Sequence, residues 1–167
     1  EARIDGLVVE PMIVRPNAWE LLAGIAHDSI FWPVVLFGQG GTSTEVVADR
    51  AIGLPPLNSV LARELISRTR VARVLAGYRD RPPADLAAIA DVLIRLAQLA
   101  ADFPEIAELD INPLLADAGG VVALDARILL GDGPSMPPAI APYPATLAYG
   151  VTTSDGLAVF LRPIRPD

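Results

Sequence analysis

Several residue types are absent or rare in this chain, and each absence excludes a class of site. The chain has no cysteine, which excludes disulfides, thiolate metal sites and catalytic thiols. It has one histidine, His27, so no site can take two histidines from this chain. The lack of cysteine is typical of cytoplasmic proteins, and we expect that location.

Long apolar runs and an excess of basic residues are also lacking. Proline and charged residues interrupt the apolar stretches before they reach the roughly 20 residues of a membrane span, so we expect no membrane partner. The net charge of −7 and the absence of a basic run argue against a nucleic-acid partner. With 167 residues, 52% of them hydrophobic, the chain can form one good core and is not broadly disordered.

Both ends of the sequence resemble the interior of a longer protein. Residues 1–5 contain neither a signal peptide nor an initiator methionine, and residues 161–167 stop abruptly. We therefore expect a piece cut from a longer polypeptide.

The first third of the chain predicts strands. Residues 6–14 are typical of a largely buried strand, in which Pro11 indicates a sheet edge or a break in the ladder. Residues 18–27 predict a second strand and residues 34–37 a third, short and apolar.

A glycine-rich segment, residues 38–43, follows the third strand. Backbone N–H groups in such a segment can point at a phosphate. The segment matches neither of the two common phosphate-loop motifs, however. The alternative, a tight turn into a strand over residues 44–51, stays open.

Two helices are predicted next. Asn58 or Ser59 caps the first, whose apolar side is formed by Leu61, Leu65, Ala72 and Leu75, and Gly77 ends it. The second opens after residues 82–83, two prolines, and Asp85 suits its positive end. Its apolar positions keep the spacing of a core-facing helix: Leu86, Ile89, Leu93, Leu96, Ala100 and Phe103.

A polar hairpin is predicted after the second helix. Glu108, Asp110 and Asn112 share one face of a strand, because side chains alternate. A returning strand over residues 121–130 would bring Asp125 beside Asp110 and Asn112. Hard oxygen ligands of this kind suit Mg²⁺. The alternative is the solvated polar face of an ordinary hairpin.

From Gly131 the composition changes. Prolines and glycines predict an extended linker, and residues 156–165 predict a single strand with no further domain to join.

Six strings between residues 6 and 130 carry a family resemblance through their order and spacing. They are Val-Val-Glu-Pro-Met-Ile at 8–13, Pro-Val-Val-Leu-Phe-Gly-Gln-Gly-Gly at 33–41, Leu-Pro-Pro-Leu at 54–57, Asp-Phe-Pro-Glu-Ile at 102–106, Glu-Leu-Asp-Ile-Asn-Pro-Leu at 108–114 and Ala-Leu-Asp-Ala-Arg at 123–127. Together they resemble the ATP-grasp domain of ADP-forming acyl-CoA synthetases, kin of the succinyl-CoA synthetase beta subunit. Residues 155–166 resemble the first strand of GNAT acetyltransferases, and the combination resembles bacterial protein-lysine acetyltransferases of the Pat type.

The resemblance implies an α+β fold and three segments. Residues 1–130 would be the C-terminal subdomain of an ATP-grasp fold, mainly an antiparallel sheet with two packed helices and without the preceding lobe. Residues 131–154 would be a proline-rich linker, and residues 155–167 the start of a GNAT-like domain.

The resemblance also implies a site for ATP or ADP with Mg²⁺. By this similarity the metal would be held by Asp110, Asn112 and Asp125. Glu10, Met12 and Ile13 would lie near adenine, and Glu20 would face the ribose. The residues facing the phosphates would be Gly38, Gly40, Gly41 and Thr42.

Two positions depart from the family pattern. His27 stands where relatives often carry arginine, and we expect a satisfied or surface histidine there. Gly53 stands where relatives commonly have a basic residue. Both changes would weaken phosphate binding.

The implied function is the ATP/ADP–Mg-binding part of an acetate–CoA ligase module in a larger bacterial protein. The partners would be nucleotide and, elsewhere in the parent chain, CoA or acyl-CoA and a phosphohistidine domain. No catalytic residue is expected in this chain, which alone would bind ATP weakly or not detectably and be inactive. The alternative is a non-catalytic, regulatory nucleotide- or acyl-CoA-sensing domain of a GNAT acetyltransferase.

Overall fold

An antiparallel sheet with helices on one face organises most of the chain. A computed structural model describes residues 6, 9–41, 49–131, 138–141 and 143–164. The sheet has the order β3-β2-β1-β4-β5, with β6 also paired to β4. Its strands are β1 (Trp19–Ala26), β2 (Val34–Gln39), β3 (Arg50–Gly53), β4 (Ile106–Asp117), β5 (Gly120–Ala123) and β6 (Ala126–Leu130).

Side-chain caps define where the helices begin. The helices are α1 (Ser59–Ser67), α2 (Ala72–Leu75) and α3 (Leu86–Asp102). Asn58 Oδ1 accepts hydrogen bonds from two first-turn amides of α1, and Asp85 Oδ1 does the same for α3. Both satisfy donors that a helix start leaves unpaired. Of the two predicted caps of the first helix, Asn58 is the one used, and the second helix begins at Leu86, after the two prolines expected to open it.

The first predicted helix is divided into two, α1 and α2, which corrects the prediction of a single helix ending at Gly77. Thr69 Oγ1 bonds the Ile66 carbonyl, and the carboxylate of Asp49 accepts the amides of Arg70 and Val71. These bonds replace helical ones, and the Asp49 carboxylate comes from a distant part of the chain. A local helical pattern therefore could not reveal the break.

The core lies between the sheet and the helices. Alternate residues of β1 and β2 face the helices, and α3 contributes the side opposite. The fully buried side chains of this interface include Leu21, Ala23, Ile25, Val35, Phe37, Ile89 and Leu93. Leu86 and Phe103, predicted as core positions of α3, are more than one-third exposed because they flank its ends.

Residues 9–14 do not form the predicted buried strand. They have no strand pairing within the described ranges, and the side chains of Val9 and Met12 are 94% and 88% exposed. Pro11 has no N–H for a ladder, and no described strand lies alongside to bury the others. The strand predicted over residues 44–51 shares only residues 50–51 with β3, which runs on to Gly53, while residues 42–48 lie outside the described residues.

The predicted hairpin is present but its returning strand is split. β5 pairs with the end of β4 and β6 with its beginning, so Leu124 and Asp125 lie between two strands instead of inside one. The break faces Asn112 and Pro113, where the pairing of β4 with β1 also shifts. Proline lacks an N–H, and the Pro113 carbonyl instead accepts the amide of Leu124.

The last described residues form a separate hairpin of β7 (Tyr149–Thr152) and β8 (Ala158–Leu161). The single strand predicted over residues 156–165 is therefore one arm of a two-stranded sheet. The predicted limit between residues 154 and 155 falls in its turn. No helix within the described ranges is long and apolar enough to cross a membrane.

Candidate functional site

The site is built on the sheet face turned away from the helices, which we call the open face. Strand pairing places Asp110 of β4 between Gly24 of β1 and Arg127 of β6. The next strand adds Leu36 opposite Gly24, followed by Ile52. Because paired residues point to the same side of a sheet, these five positions form one row across the open face.

Asp110 is the residue of this row whose pKa is shifted. Partial burial raises the pKa of its carboxyl above the ordinary value of 3.8. The negative charges of Glu108 and Asp125 raise this pKa further, and Arg127 opposes them. The predicted proximity of Asp125 to Asp110 therefore has an electrostatic counterpart in the structure, although Asp125 itself is exposed.

Asn112 connects the hairpin to the glycine segment. Its Oδ1 accepts the amide of Gly41 at 3.1 Å. The amide of Gly40 donates to the Glu20 carbonyl at 2.9 Å. Both glycine amides are thus hydrogen-bonded within the protein.

Glycine is required at this turn for steric reasons. Gly41 has φ of +86°, and a Cβ there would overlap the carboxylate of Glu20. A Cβ on Gly40 would overlap the backbone of Leu21. The Glu20 side chain therefore lies directly against the glycine segment, beside the amide bonded to Asn112.

A cavity adjoins these polar groups. It has a volume of about 580 Å³, and its lining includes the apolar Ile13, Leu115 and Leu124 and the charged Arg15, Glu20 and Arg81. A neighbouring cavity of about 560 Å³ brings residues 10–13 against Val122, Ala123 and Leu124. The side chains of Glu10, Met12 and Ile13 are thus exposed walls of a cleft whose other wall is the hairpin.

Leu115 and Leu124 belong to the candidate site but were not predicted from the sequence. Leu115 pairs with Glu20 across β1 and β4, which places it on the open face. The sequence does contain a sign of this, because only one of the adjacent leucines 114 and 115 can face the core and the other must face the open side. Alternation along the strand does not tell which, because the pairing shifts at Pro113.

The predicted positions fall into two groups. Glu20, Gly40, Gly41 and Asn112 are in contact with one another, and Gly38 is buried one step further along β2. Glu10, Met12 and Ile13 line the second cavity together with Leu124, the residue before Asp125. Thr42 lies outside the described residues.

The donor set suits a hard cation. Asp110, Asp125 and the Asn112 amide offer oxygen ligands, the type that Mg²⁺ prefers. Within the described residues the carboxylate of Asp110 makes no hydrogen bond, and the charge of Arg127, its partner position on β6, acts on it. The same residues contain no cluster of three or more Asp, Glu, His or Cys side chains that could hold a metal. Two carboxylates and one amide would leave the remaining positions around an octahedral cation to other oxygens.

His27 and Gly53 lie away from these groups. His27 is exposed at the turn after β1, where its ring packs edge-on against Trp32 at 3.4 Å between centroids. Gly53 pairs with the core-facing Val35, and a Cβ there would lie 3.2 Å from Leu65 of α1. A basic residue at position 53 would point towards the helices, so the expectation that its loss weakens phosphate binding is not supported by this geometry.

Comparisons with known proteins place this arrangement in context. A family model described as an ATP-grasp domain matches residues 1–130. Acetate–CoA ligase [ADP-forming] I of Archaeoglobus fulgidus is 36% identical over 132 residues, which cover 79% of this chain and 19% of that protein. The beta subunit of acetate–CoA ligase [ADP-forming] I of Pyrococcus furiosus is 34% identical over 130 residues, covering 78% of this chain and 55% of the subunit.

A solved structure is similar to this chain in both sequence and fold. The dinucleotide-forming acetyl-coenzyme A synthetase 1 of Ca. Korarchaeum cryptofilum, in complex with coenzyme A and Mg-AMPPCP, superposes with a TM-score of 0.67 and 37% identity. The match covers 70% of this chain and 55% of that chain. This chain thus spans only about half of that chain and of the Pyrococcus subunit.

Proposed function

Because the chain belongs to the ATP-grasp domain family, we propose that it forms one wall of the ATP/ADP–Mg site of an ADP-forming acyl-CoA synthetase. The observation that carries the proposal is the open face: Asn112 bonds the glycine segment there, Asp110 lies two residues before it, and Glu20 beside that segment lines a cavity. The second wall of the site would come from a lobe outside this chain.

The cleft offers both apolar and charged side chains, which suits a nucleotide. Ile13, Leu115 and Leu124 would contact the flat apolar base. The Glu20 carboxylate is placed to accept hydrogen bonds from ribose hydroxyls.

The phosphate end would be the row that contains Asp110. Asp110, Asn112 and Asp125 would hold Mg²⁺, which when bound neutralises phosphate charge. Arg127, opposite Asp110, is placed to balance the same charges. All 13 basic residues of the chain are arginines, so it supplies no lysine to the phosphates.

The overall reaction would interconvert acyl-CoA, ADP and phosphate with free acid, CoA and ATP. CoA and a phosphohistidine segment would come from other domains of the parent protein. One related structure is described with coenzyme A bound and with its phosphohistidine segment pointing towards the nucleotide-binding site, which supports this division of roles.

Nucleotide titration followed by NMR tests the proposal on the chain itself. Met12, one of two methionines, can be labelled with ¹³C at its methyl group and assigned by Met12→Leu. We expect Mg-ADP to shift the Met12 signal with weak affinity, and Mn²⁺-ADP to broaden the amide signal of Gly41. The variant Asp110→Asn combined with Asp125→Asn should lose the broadening.

The control is Asp91→Asn, an exposed acid on the solvent side of α3. It should respond like the wild type. A wild-type chain whose Met12 and Gly41 signals ignore millimolar nucleotide would contradict a preformed wall. Broadening that survives in the Asp110/Asp125 variant would contradict the metal assignment.

A second function is supported by the separate hairpin of β7 and β8. It stands apart from the main sheet, as a segment belonging to a following domain would. We propose as the alternative that the chain is a regulatory module of a GNAT acetyltransferase. In the parent polypeptide, Asp110→Ala with Asn112→Ala should abolish ATP formation under the first proposal. Under the alternative, ATP formation would be absent from the wild type, and nucleotide would instead change the rate of acetyl transfer.

A further inference from the structure

The segment of residues 9–18 is attached to the fold mainly through one side chain. Its residues lie outside the sheet, and most of its side chains are exposed. Arg15 Nη1 donates to Asp117 Oδ1 at 3.1 Å and to the Gly120 carbonyl at 3.2 Å. Within the described residues, these are the side-chain hydrogen bonds that join this segment to the remainder of the chain.

The attachment point on the hairpin is itself well fixed. Asp117 Oδ1 also accepts the amide of Gly119 at 2.8 Å, which closes the turn between β4 and β5. The Asp117 carbonyl accepts the amide of Asp85, the cap of α3, at 3.0 Å. Arg15 therefore binds a turn that is tied to the helix layer.

The contact is more shielded than a typical surface ion pair. The side chains of Arg15 and Asp117 are 26% and 23% exposed. The guanidinium also bonds a backbone carbonyl, so the arginine is held by two acceptors of different kinds. Such a contact restricts the backbone more than an exposed pair of flexible side chains does.

The cleft described above opens between the two parts that Arg15 joins. One wall contains Glu10, Met12 and Ile13, and the other contains Leu115 and Leu124. The distance between the walls depends on how the segment is held at its base. Released from the hairpin, the exposed segment would sample many positions.

Resting on the proposed function, we propose that Arg15 is a positioning residue for the nucleotide. Through Asp117 and Gly120 it holds residues 10–13 at the spacing that accepts the base. The base-binding wall thus depends on the ion pair between Arg15, at the edge of the cavity, and Asp117. The phosphate end, formed by Asp110 and Asn112, does not depend on it.

Distance measurement in the ligand-free chain tests the structural half of the proposal. Because the chain has no cysteine, Val14→Cys and Arg95→Cys place two spin labels at exposed positions on the segment and on α3. Pulsed electron resonance should give a narrow distance distribution in this background. Arg15→Gln and Asp117→Asn should each broaden it, while Arg63→Gln on the exposed side of α1 should not.

Ligand titration of the unlabelled chain tests the functional half. The Met12 methyl reports Mg-ADP and the Gly41 amide reports Mg-pyrophosphate, which has no base. We expect Arg15→Gln to raise the Kd for Mg-ADP by about two- to fivefold and to leave that for Mg-pyrophosphate unchanged. Arg15→Lys, which keeps the charge but not the fork of donors, should be intermediate.

The outcomes separate the inference from the function on which it rests. Unchanged distances in Arg15→Gln overturn the inference whatever the ligand does. An equal loss of affinity for Mg-ADP and for Mg-pyrophosphate also overturns the inference, because it indicates general destabilisation of the chain. If neither ligand shifts or broadens the signals of the wild-type chain, the proposed function is overturned. The spin-label distances still decide whether Arg15 holds the segment.

Discussion

Asp49 holds the turn between α1 and α2 against the beginning of β3, and its removal should cost the fold several hydrogen bonds at once. Its two carboxylate oxygens accept the amides of Arg70 and Val71, each at 2.7 Å. The residue is only 8% exposed, and Val71 is 4% exposed. Water therefore has little access to these groups when the carboxylate is deleted.

The magnitude follows from these contacts. A hydrogen bond to a charged acceptor contributes about 1.5–3 kcal/mol, and a buried donor left unpaired loses most of that. The side chain of Arg70 is 69% exposed and 3.5 Å from the carboxylate, so its ion pair adds little. Two amides therefore give about 3–5 kcal/mol for Asp49→Ala. Asp49→Asn keeps one acceptor and should lose about half.

Urea unfolding followed by helical circular dichroism measures this loss. With a slope of about 2 kcal/mol per molar urea, Asp49→Ala should lower the midpoint by about 1.5–2.5 M. Asp91→Ala, a control on an exposed face of α3, should stay within about 0.5 kcal/mol of the wild type. A loss below about 1 kcal/mol for Asp49→Ala would refute the reasoning, since it would show that other groups satisfy both amides.

Two further substitutions probe the open face. Gly24→Ala would bring a Cβ onto the Leu109 carbonyl oxygen of the neighbouring strand. The free energy of unfolding in urea should therefore fall by about 1–3 kcal/mol. The control is Gly150→Ala, where a Cβ meets nothing within 4 Å, and it should show no loss. Asp110 has a folded pKa raised above 3.8 by burial, so the folded state binds its proton more tightly and stability falls as pH rises through that pKa. Asp110→Asn should therefore melt higher than wild type at pH 7, with the difference vanishing below pH 3.8; a constant difference at all pH values would argue against this cause.

Much of the fold follows from local pattern. Asn58 and Asp85 are strong helix caps that stand immediately before apolar stretches of helical spacing, and both helices begin there. The strand predicted over residues 18–27 likewise corresponds to β1. In these places local preference and tertiary packing agree, which is why reasoning from neighbours in sequence succeeds.

The errors occur where distant residues decide local structure. The break at Thr69 depends on Asp49, which no helical periodicity includes. The exposure of residues 9–14 depends on the absence of a pairing strand in the described chain. Helix and strand patterns describe neighbours in sequence, and neither contains these partners.

The candidate site shows the same division. Asp110 and Asn112 follow from strand alternation, because they lie within three residues of each other. Leu115 and Leu124 could not be placed, because the shift at Pro113 changes which side chains share a face. Likewise, the partnership of Arg15 with Asp117 spans most of the chain and has no local signature.

The strand order has a consequence for the chain during its synthesis. β1 and β4 are neighbours in the sheet, and Leu21 pairs with Leu114. The intervening stretch takes on the order of 5–20 s to synthesise at typical rates. Until β4 emerges, the hairpin of β1 and β2 has one unpaired edge and an apolar face without its full cover. Such an edge favours pairing with other chains, so this part of the protein should depend most on chaperones while it is being made.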